Sequence, residues 1–202
     1  MRHTITFGKQ SDAKELLAIY SPYVEETTIS FEYVSPSLVE FEHRISTITN
    51  TYPYLVYRIG EEIVGYAYAS SFKTRAAFMW DVETSVYIKP EYHQSGVARK
   101  LYTILISLLK KQGFYHVYAY ICIPNNKSVR FHEKFGFAHG ATYKNTGYKL
   151  GQWCDLLCME KHLQEITPTT TPTPPISIHE LERSFITDTI CQVLHSQRED
   201  FL

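Results

Sequence analysis

Two periods of hydrophobic spacing alternate along this chain, and the switches between them predict a strand followed by two helices and three more strands. Residues 3–7 alternate as a short strand. Asp12, with Glu15 three positions on, then offers a cap for a helix that places Leu16, Ile19, Tyr20, Tyr23 and Val24 on one face. Ser35-Pro36 reads as a second helix start, a cap followed by a proline suited to the first turn. Behind it Leu38, Phe41, Ile45 and Ile48 recur at three- and four-residue steps. From Tyr54 to Ser71 two apolar stretches flank Gly60-Glu61-Glu62 and predict an antiparallel hairpin, and Val82 to Ile88 is a further β-rich run.

From Gly96 to Lys111 the helical period returns through Val97, Leu101, Ile104, Leu105, Leu108 and Leu109, ended by Gly113, and residues 116–123 return to strand composition. A short helix from Asn125 to Phe135, stopped by Gly136, precedes two last strands around 141–148 and 152–160. The order predicts an α/β protein of the α+β kind, with a mixed sheet flanked by helices rather than a doubly wound one.

At 167–175 the text becomes TPTTTPTPP, which can bury no core and is expected to run extended, at about 3.1 Å per residue. Beyond it Ser177 and Glu180 form a capping-box pattern, with Ile178, Leu181, Phe185, Ile186, Ile190, Val193 and Leu194 apolar behind them. A lone helix of this kind is marginal in water and needs a surface to dock on. The chain therefore divides into a domain over 1–163, a linker over 164–175 and an amphipathic helix over 176–202.

With 202 residues, 20 basic and 21 acidic, the net charge is −1, so the bulk electrostatics exclude a nucleic-acid partner as the main ligand. The first residues, MRHTITFGKQSDAKE, hold no apolar run of the signal-peptide kind, and no segment reaches the length of a membrane helix. A cytoplasmic protein without a membrane partner is expected. Cys122, Cys154, Cys158 and Cys191 form no CxxC pair and no zinc-ligand spacing, so buried reduced thiols are expected. Neither His132-Glu133 nor His179-Glu180 completes an HExxH site, and Ser95 and Ser128 lack a G-x-S-x-G elbow. Metallohydrolase and serine-hydrolase chemistry are excluded, and no metal is expected.

The segment VYIKPEYHQSGVARKLY, 86–102, carries the clearest chemistry. A strand leads into a loop whose main-chain N–H groups open a helix, and a helix N-terminus is a ready site for a pyrophosphate, with Gly96 letting the backbone approach. The segment resembles the acetyl-coenzyme A motif of GNAT acetyltransferases, which runs Gln or Arg, two residues, Gly, one residue, then Gly or Ala. Gly96 and Ala98 fit that pattern, and His93 stands in its first position. The resemblance implies acetyl-coenzyme A as cosubstrate. Its contacts would come from Val86, Tyr87, Ile88, Gln94, Ser95, Gly96, Val97, Ala98 and Arg99, together with Ser128 and the helix-capping Asn125.

Within that superfamily four stretches resemble the phosphinothricin and methionine sulfoximine N-acetyltransferases, and the likeness extends over roughly residues 2–163. They are ISFEY (29–33), FKTRAAFMWDVETSVYI (72–88), PNNKSVRFHEKFGF (124–137) and GYKLGQWCD (147–155). The resemblance implies a GNAT fold with a central splayed sheet, a homodimer, and a small amine-bearing, amino-acid-like acceptor. It implies Glu83 as general base, Lys73 and Arg75 as anchors for acidic groups of the acceptor, and Phe31 and Phe78 as apolar walls. His132 stands where many relatives carry a tyrosine, and three roles stay open for it: positioning Glu83, positioning a water, or protonating the thiolate.

Acetyl transfer to an amine asks that the ammonium lose a proton, the thioester carbonyl be polarised and the departing thiolate be stabilised. By periodicity alone Glu83 is a strand residue alternating out from Val82 and Thr84. Two other readings compete: acetylation of a polyamine or peptide N-terminus, and a non-catalytic acyl-coenzyme A sensor with 176–202 as its output helix. Lys73 and Arg75 argue against a polyamine, which they would repel.

Overall fold

Seven strands form one mixed sheet in the order β1-β2-β3-β4-β5-β7-β6 in a computed structural model that describes residues 1–169 and 171–196. β1 (His3–Phe7) and β2 (Tyr54–Ile59) pair antiparallel, and β2 returns into β3 (Glu62–Ser71) through a turn at Gly60, whose φ of +62° suits glycine. Glu62, expected in that turn, is the first residue of β3 and pairs with Ile59. β4 (Asp81–Ile88) runs antiparallel to β3, β5 (His116–Ile123) parallel to β4, and the hairpin of β6 (Ala138–Lys149) and β7 (Gln152–His162) closes the far edge.

The parallel pairing of β4 with β5 is short. It joins Asp81, Val82 and Glu83 to His116, Val117 and Tyr118 and then ends, while β4 stays paired to β3 and β5 to β7. The two strands part beyond Glu83, and this gap positions the site.

α1 (Ala13–Glu25) and α2 (Leu38–Thr49) cover one face through Leu16, Ile19, Val24, Phe41 and Ile45, packed on Tyr54, Val56, Ile63 and Tyr66. α3 (Val97–Gln112) covers the other, burying the apolar residues its helical period predicts and ending at Gly113, whose φ is +98°. α4 (Asn126–Lys134) lies beside it, with Phe131 and Phe135 against Tyr102.

Two caps differ from expectation. Asp12 precedes α1 but does not cap it; its carboxylate meets Arg58 of β2 at 2.7 Å and reaches back to the Lys9 amide at 3.0 Å, capping the 3₁₀ turn Gln10–Asp12 instead. The half-buried ion pair takes the oxygens a cap would need. Ser37, not Ser35, caps α2 by accepting from the Glu40 amide, and Ser35 donates to Glu25 at 2.8 Å.

From Thr173 onward the described part of the C-terminal stretch is held against the domain. Trp80 donates to the carbonyl of Thr173 at 2.8 Å, and the buried Gln112 side chain bridges the carbonyls of Thr51 and Ile176. Ser177 and Glu180 do form a capping box, yet it opens only a single 3₁₀ turn over Ile178–Glu180, because Ile178 bonds Thr51 and is drawn into the core with Leu181. α5 begins later, at Arg183, and runs to His195. It lies antiparallel to α3: Lys111 sits over the Phe185 ring near its start, and Lys100 donates to the carbonyl of Leu194 near its end. Ile178, Leu181 and Val193 join the same core as α3. Residue 170 of the expected linker and 197–202 of the expected helix lie outside the described residues. Cys122, Cys154 and Cys158 are buried and unpaired as expected, whereas Cys191 on α5 is exposed because it faces away from α3. Among the described residues no helix is long and apolar enough to cross a membrane.

Candidate active site

The loop from β4 to α3 ends at Gly96, whose φ of +87° is open to glycine and strained for other residues. A Cβ at Gly96 would meet no atom within 4 Å, so the space before it is free. The first intrahelical bond runs from the Lys100 amide to the Gly96 carbonyl, and the helix start at Val97 and Ala98 presents the unpaired amides that favour an anion. A groove of about 540 Å³ opens there, walled by Val86 and Ile88 of β4, by Gly96 with Ala98 and Arg99 of α3, and by the capping Asn125 with Ser128 and Phe131 of α4. A pyrophosphate at the helix start with an apolar arm along Val86 fits these residues. His93 also lines the groove, its ring held with Nε2 3.1 Å from the Ile88 carbonyl and 2.9 Å from the Tyr23 hydroxyl.

A second cavity, of about 390 Å³, adjoins this groove, and Ile29, Val86 and Ser128 line both. Its walls bring Ser30 and Phe31 from the α1–α2 loop to Tyr68 of β3, Glu83 and Ser85 of β4, Tyr120 of β5 and Leu156 of β7. Strand alternation explains the arrangement: Glu83, Ser85 and Tyr87 share one face of β4 and stand in register with Ser70, Tyr68 and Tyr66 of β3. Burial pushes the Glu83 carboxyl up, and the positive charge of Lys73 pulls the other way without cancelling it. The Tyr68 phenol beside it is pushed up to about 12 by burial, so it stays protonated.

Thr84, next in the strand, points to the opposite face. There it meets the Tyr102 hydroxyl at 2.5 Å, and Tyr102 lies 3.0 Å from Nε2 of His132. The other ring nitrogen, Nδ1, lies 2.8 Å from the Ser128 carbonyl, which can only accept. Burial lowers the His132 pKa, so the ring is neutral with its proton on Nδ1, and Tyr102 donates to Nε2. Thr84 donates to Tyr102 and shares its proton with the Tyr118 carbonyl. Both ring nitrogens are thus taken, and neither bonds Glu83.

A family model for the acetyltransferase (GNAT) domain matches residues 5–158. The chain belongs to the GNAT acetyltransferase family. It is 31% identical over 167 residues to phosphinothricin N-acetyltransferase of Streptomyces viridochromogenes, covering 83% of this chain and 91% of that protein. It is 30% identical over 166 residues to the L-methionine sulfoximine/L-methionine sulfone acetyltransferase of Salmonella typhimurium, covering 80% and 95%. The crystal structure of a GNAT superfamily phosphinothricin acetyltransferase from Sinorhizobium meliloti in complex with AcCoA superposes with a TM-score of 0.81. Its identity is 33%, over 87% of this chain and 96% of that one.

The GNAT fold gathers part of the expected residue set. Val86, Ile88, Gln94, Gly96, Ala98, Arg99, Asn125 and Ser128 line the groove. Tyr87 lines the second cavity instead, since its side chain shares the Glu83 face. Val97 is buried in the core, and Ser95 turns its hydroxyl to the Tyr92 carbonyl. Among the expected acceptor contacts Phe31 and Glu83 are in the cavity wall, while Lys73, Arg75 and Phe78 are outside it. These three belong to the β3–β4 connection. Lys73 and Arg75 are exposed there, Lys73 lies over the Phe72 ring at 4.9 Å, and Phe78 packs edge-on against the same ring. Tyr68, Ser85 and Tyr120 were not singled out in the sequence; a period-2 run of tyrosines marks a strand face but not which face is open. Among the described residues no group of three His, Cys, Asp or Glu side chains could hold a metal ion.

Proposed function

We propose that this GNAT chain transfers an acetyl group from acetyl-coenzyme A to the amino group of a small amino-acid-like acceptor of the phosphinothricin, methionine sulfoximine or methionine sulfone type. The observation that carries the reading is Glu83: a half-buried carboxylate with a raised pKa, facing a cavity that meets the helix-start groove at Val86 and Ser128.

Acetyl-coenzyme A supplies the acetyl group as a thioester. The amides at the start of α3 hold its pyrophosphate, and Val86 and Ile88 wall its arm. Glu83 takes the proton of the acceptor ammonium; its elevated pKa brings it closer to the amine it must deprotonate, which strengthens it as a base. His132 serves as a fixed neutral wall that holds Ser128, because its Nδ1 proton is committed to the Ser128 carbonyl and its Nε2 to Tyr102. Lys73 acts on an acidic acceptor through its field rather than through the cavity wall, as it does on Glu83. Such an enzyme would detoxify compounds such as phosphinothricin or methionine sulfoximine in the cytoplasm, and we expect it to work as a homodimer.

Thiol release from acetyl-coenzyme A in the presence of methionine sulfoximine, methionine sulfone, phosphinothricin and spermidine tests the reading. Turnover with the first three and none with spermidine is expected. Turnover with spermidine alone would move the acceptor to the polyamine class, and binding of acetyl-coenzyme A without any turnover would leave a sensor.

A further inference from the structure

The loop that carries Ser30 and Phe31 into the cavity is gripped by three consecutive residues near the end of β6. Lys149, 3% exposed, donates from Nζ to the carbonyl of Val24 at 2.5 Å and to the carbonyl of Ser30 at 2.6 Å. Tyr148 offers its own carbonyl to the Tyr33 hydroxyl. Gly147 lies directly under Phe31, where an added Cβ would stand 2.5 Å from the ring.

The choice of an ammonium for this place is informative. Val24 is in the last turn of α1, whose unpaired carbonyls and dipole favour a cation. Lys149 takes part in no ion pair among the described residues, so its direct partners are carbonyls, with the charge of Glu32 helping from a longer range. Burying a charge in this way is costly, and an apolar side chain would fill the same volume more cheaply. What an apolar side chain lacks is a set of donors that tie the end of α1 to the loop six residues later. The other loop contacts, Tyr20 to Ser30 at 2.9 Å and Arg44 to Glu32 at 2.6 Å, hold it from the opposite side.

We propose that Lys149 is the positioning residue of the acceptor cavity: by fixing the Ser30 carbonyl against the end of α1, it seats Phe31 on Gly147 as the wall that selects the acceptor. The proposal rests on the reading of this cavity as the acceptor site. Lys149 is not among the residues that line the cavity, and its effect reaches the acceptor through the loop it holds, above all through Phe31. The cofactor groove is built mainly from β4, α3 and α4, and the braced loop reaches it only through Ile29, ahead of the Ser30 carbonyl, so its affinity should depend on the brace far less than the acceptor's does.

Steady-state kinetics of K149M, G147A and E83Q with methionine sulfoximine, methionine sulfone and phosphinothricin test it, with circular dichroism to establish folding. In K149M the acceptor KM should rise by about tenfold while the acetyl-coenzyme A KM stays within about twofold. G147A keeps the ammonium but displaces the Phe31 ring, and should raise the acceptor KM and change the ranking of the three acceptors. A folded K149M with a wild-type acceptor KM overturns the proposal, as does an equal rise in both KM values, which would mean general loosening. Should K149M not fold, G147A decides, and a wild-type acceptor KM there overturns it. E83Q separates the two readings: wild-type turnover in E83Q sinks the cavity reading itself, whereas lost turnover in E83Q beside an unaltered K149M sinks only the role of Lys149.

Discussion

Tyr102 donates to Nε2 of His132 across 3.0 Å, between two side chains that are both almost fully buried, and so fixes the histidine in one tautomer. Tyr102→Phe removes that donor and leaves a buried ring nitrogen unsatisfied, with the Thr84 hydroxyl losing its partner on the same side. A loss of about 1–3 kcal/mol in stability is expected, read by urea denaturation of the folded variant. Stability equal to wild type would mean that a water replaces the phenol.

The His132 ring also sets a pH dependence. Its folded pKa is lowered by burial, so unfolding takes up a proton when the pH lies between the folded value and the unfolded value of about 6.5. The ring's contribution is therefore fully present above about pH 6.5 and is lost as the pH falls through the folded pKa. His132→Gln should flatten this part of the stability profile. An identical slope in wild type and variant, measured by thermal unfolding, would assign the acid loss to other groups.

Glu83→Gln keeps the shape of the side chain and removes the base. Turnover at neutral pH should drop by about 10²–10⁴-fold, with both substrates still bound. Because burial raises the Glu83 pKa, the wild-type rate should begin to fall on acidification above the ordinary carboxylate range. In the variant most of the lost rate should return toward high pH, where free amine exists without help. Wild-type turnover in the variant would pass the proton to another acceptor.

At Gly96 the backbone itself is the constraint. Gly96→Val places a branched side chain at a φ of +87° and in the free space before the helix start, so acetyl-coenzyme A affinity by calorimetry should fall steeply. His93→Gln should change that affinity little, since His93 is turned toward Ile88 and Tyr23. Normal binding by Gly96→Val would put the pyrophosphate elsewhere.

Ending the chain after Leu163 strips Ile178, Leu181 and Val193 from the core of α3. Each buried side chain of this size contributes about 1.5–3 kcal/mol, so the truncated protein should melt well below wild type. The fraction that remains folded should keep turnover, because among the described residues no cavity or groove wall comes from beyond residue 163. An unchanged melting temperature would mean that α5 is not held to α3.

Much of this architecture was legible in the chain because amphipathic period is a local signal. Leu101, Leu105 and Leu108 announce α3, and the Gly96 and Gly113 that bound it are set by backbone geometry. Helix starts were less legible: Asp12 and Ser35 are good cap residues whose oxygens are claimed by Arg58 and Glu25, partners distant in sequence. In the structure Glu83 and Phe31 line one cavity and Gly96 the groove beside it. Lys73, Arg75 and Phe78 did not reach the cavity wall, since a motif fixes their order but not the path of the β3–β4 connection. Lys149 lies within a stretch of family likeness, 147–155, but nothing in the local pattern marks it as buried. It is a single lysine at the end of a largely exposed strand, and only the return of the α1–α2 loop over that strand buries it.

The three-residue seam between β4 and β5 gives the molecule the mechanics of a wedge. β1 to β4 and β5 to β7 are two half-sheets, and their own pairing ends at Glu83 and Tyr118. Any change in the angle between the halves is therefore largest near Ile88 and Ile123, at the open end, and smallest at the apex. Glu83 stands at that apex. An opening of the mouth would therefore leave the distance from the carboxylate to the strand opposite nearly unchanged.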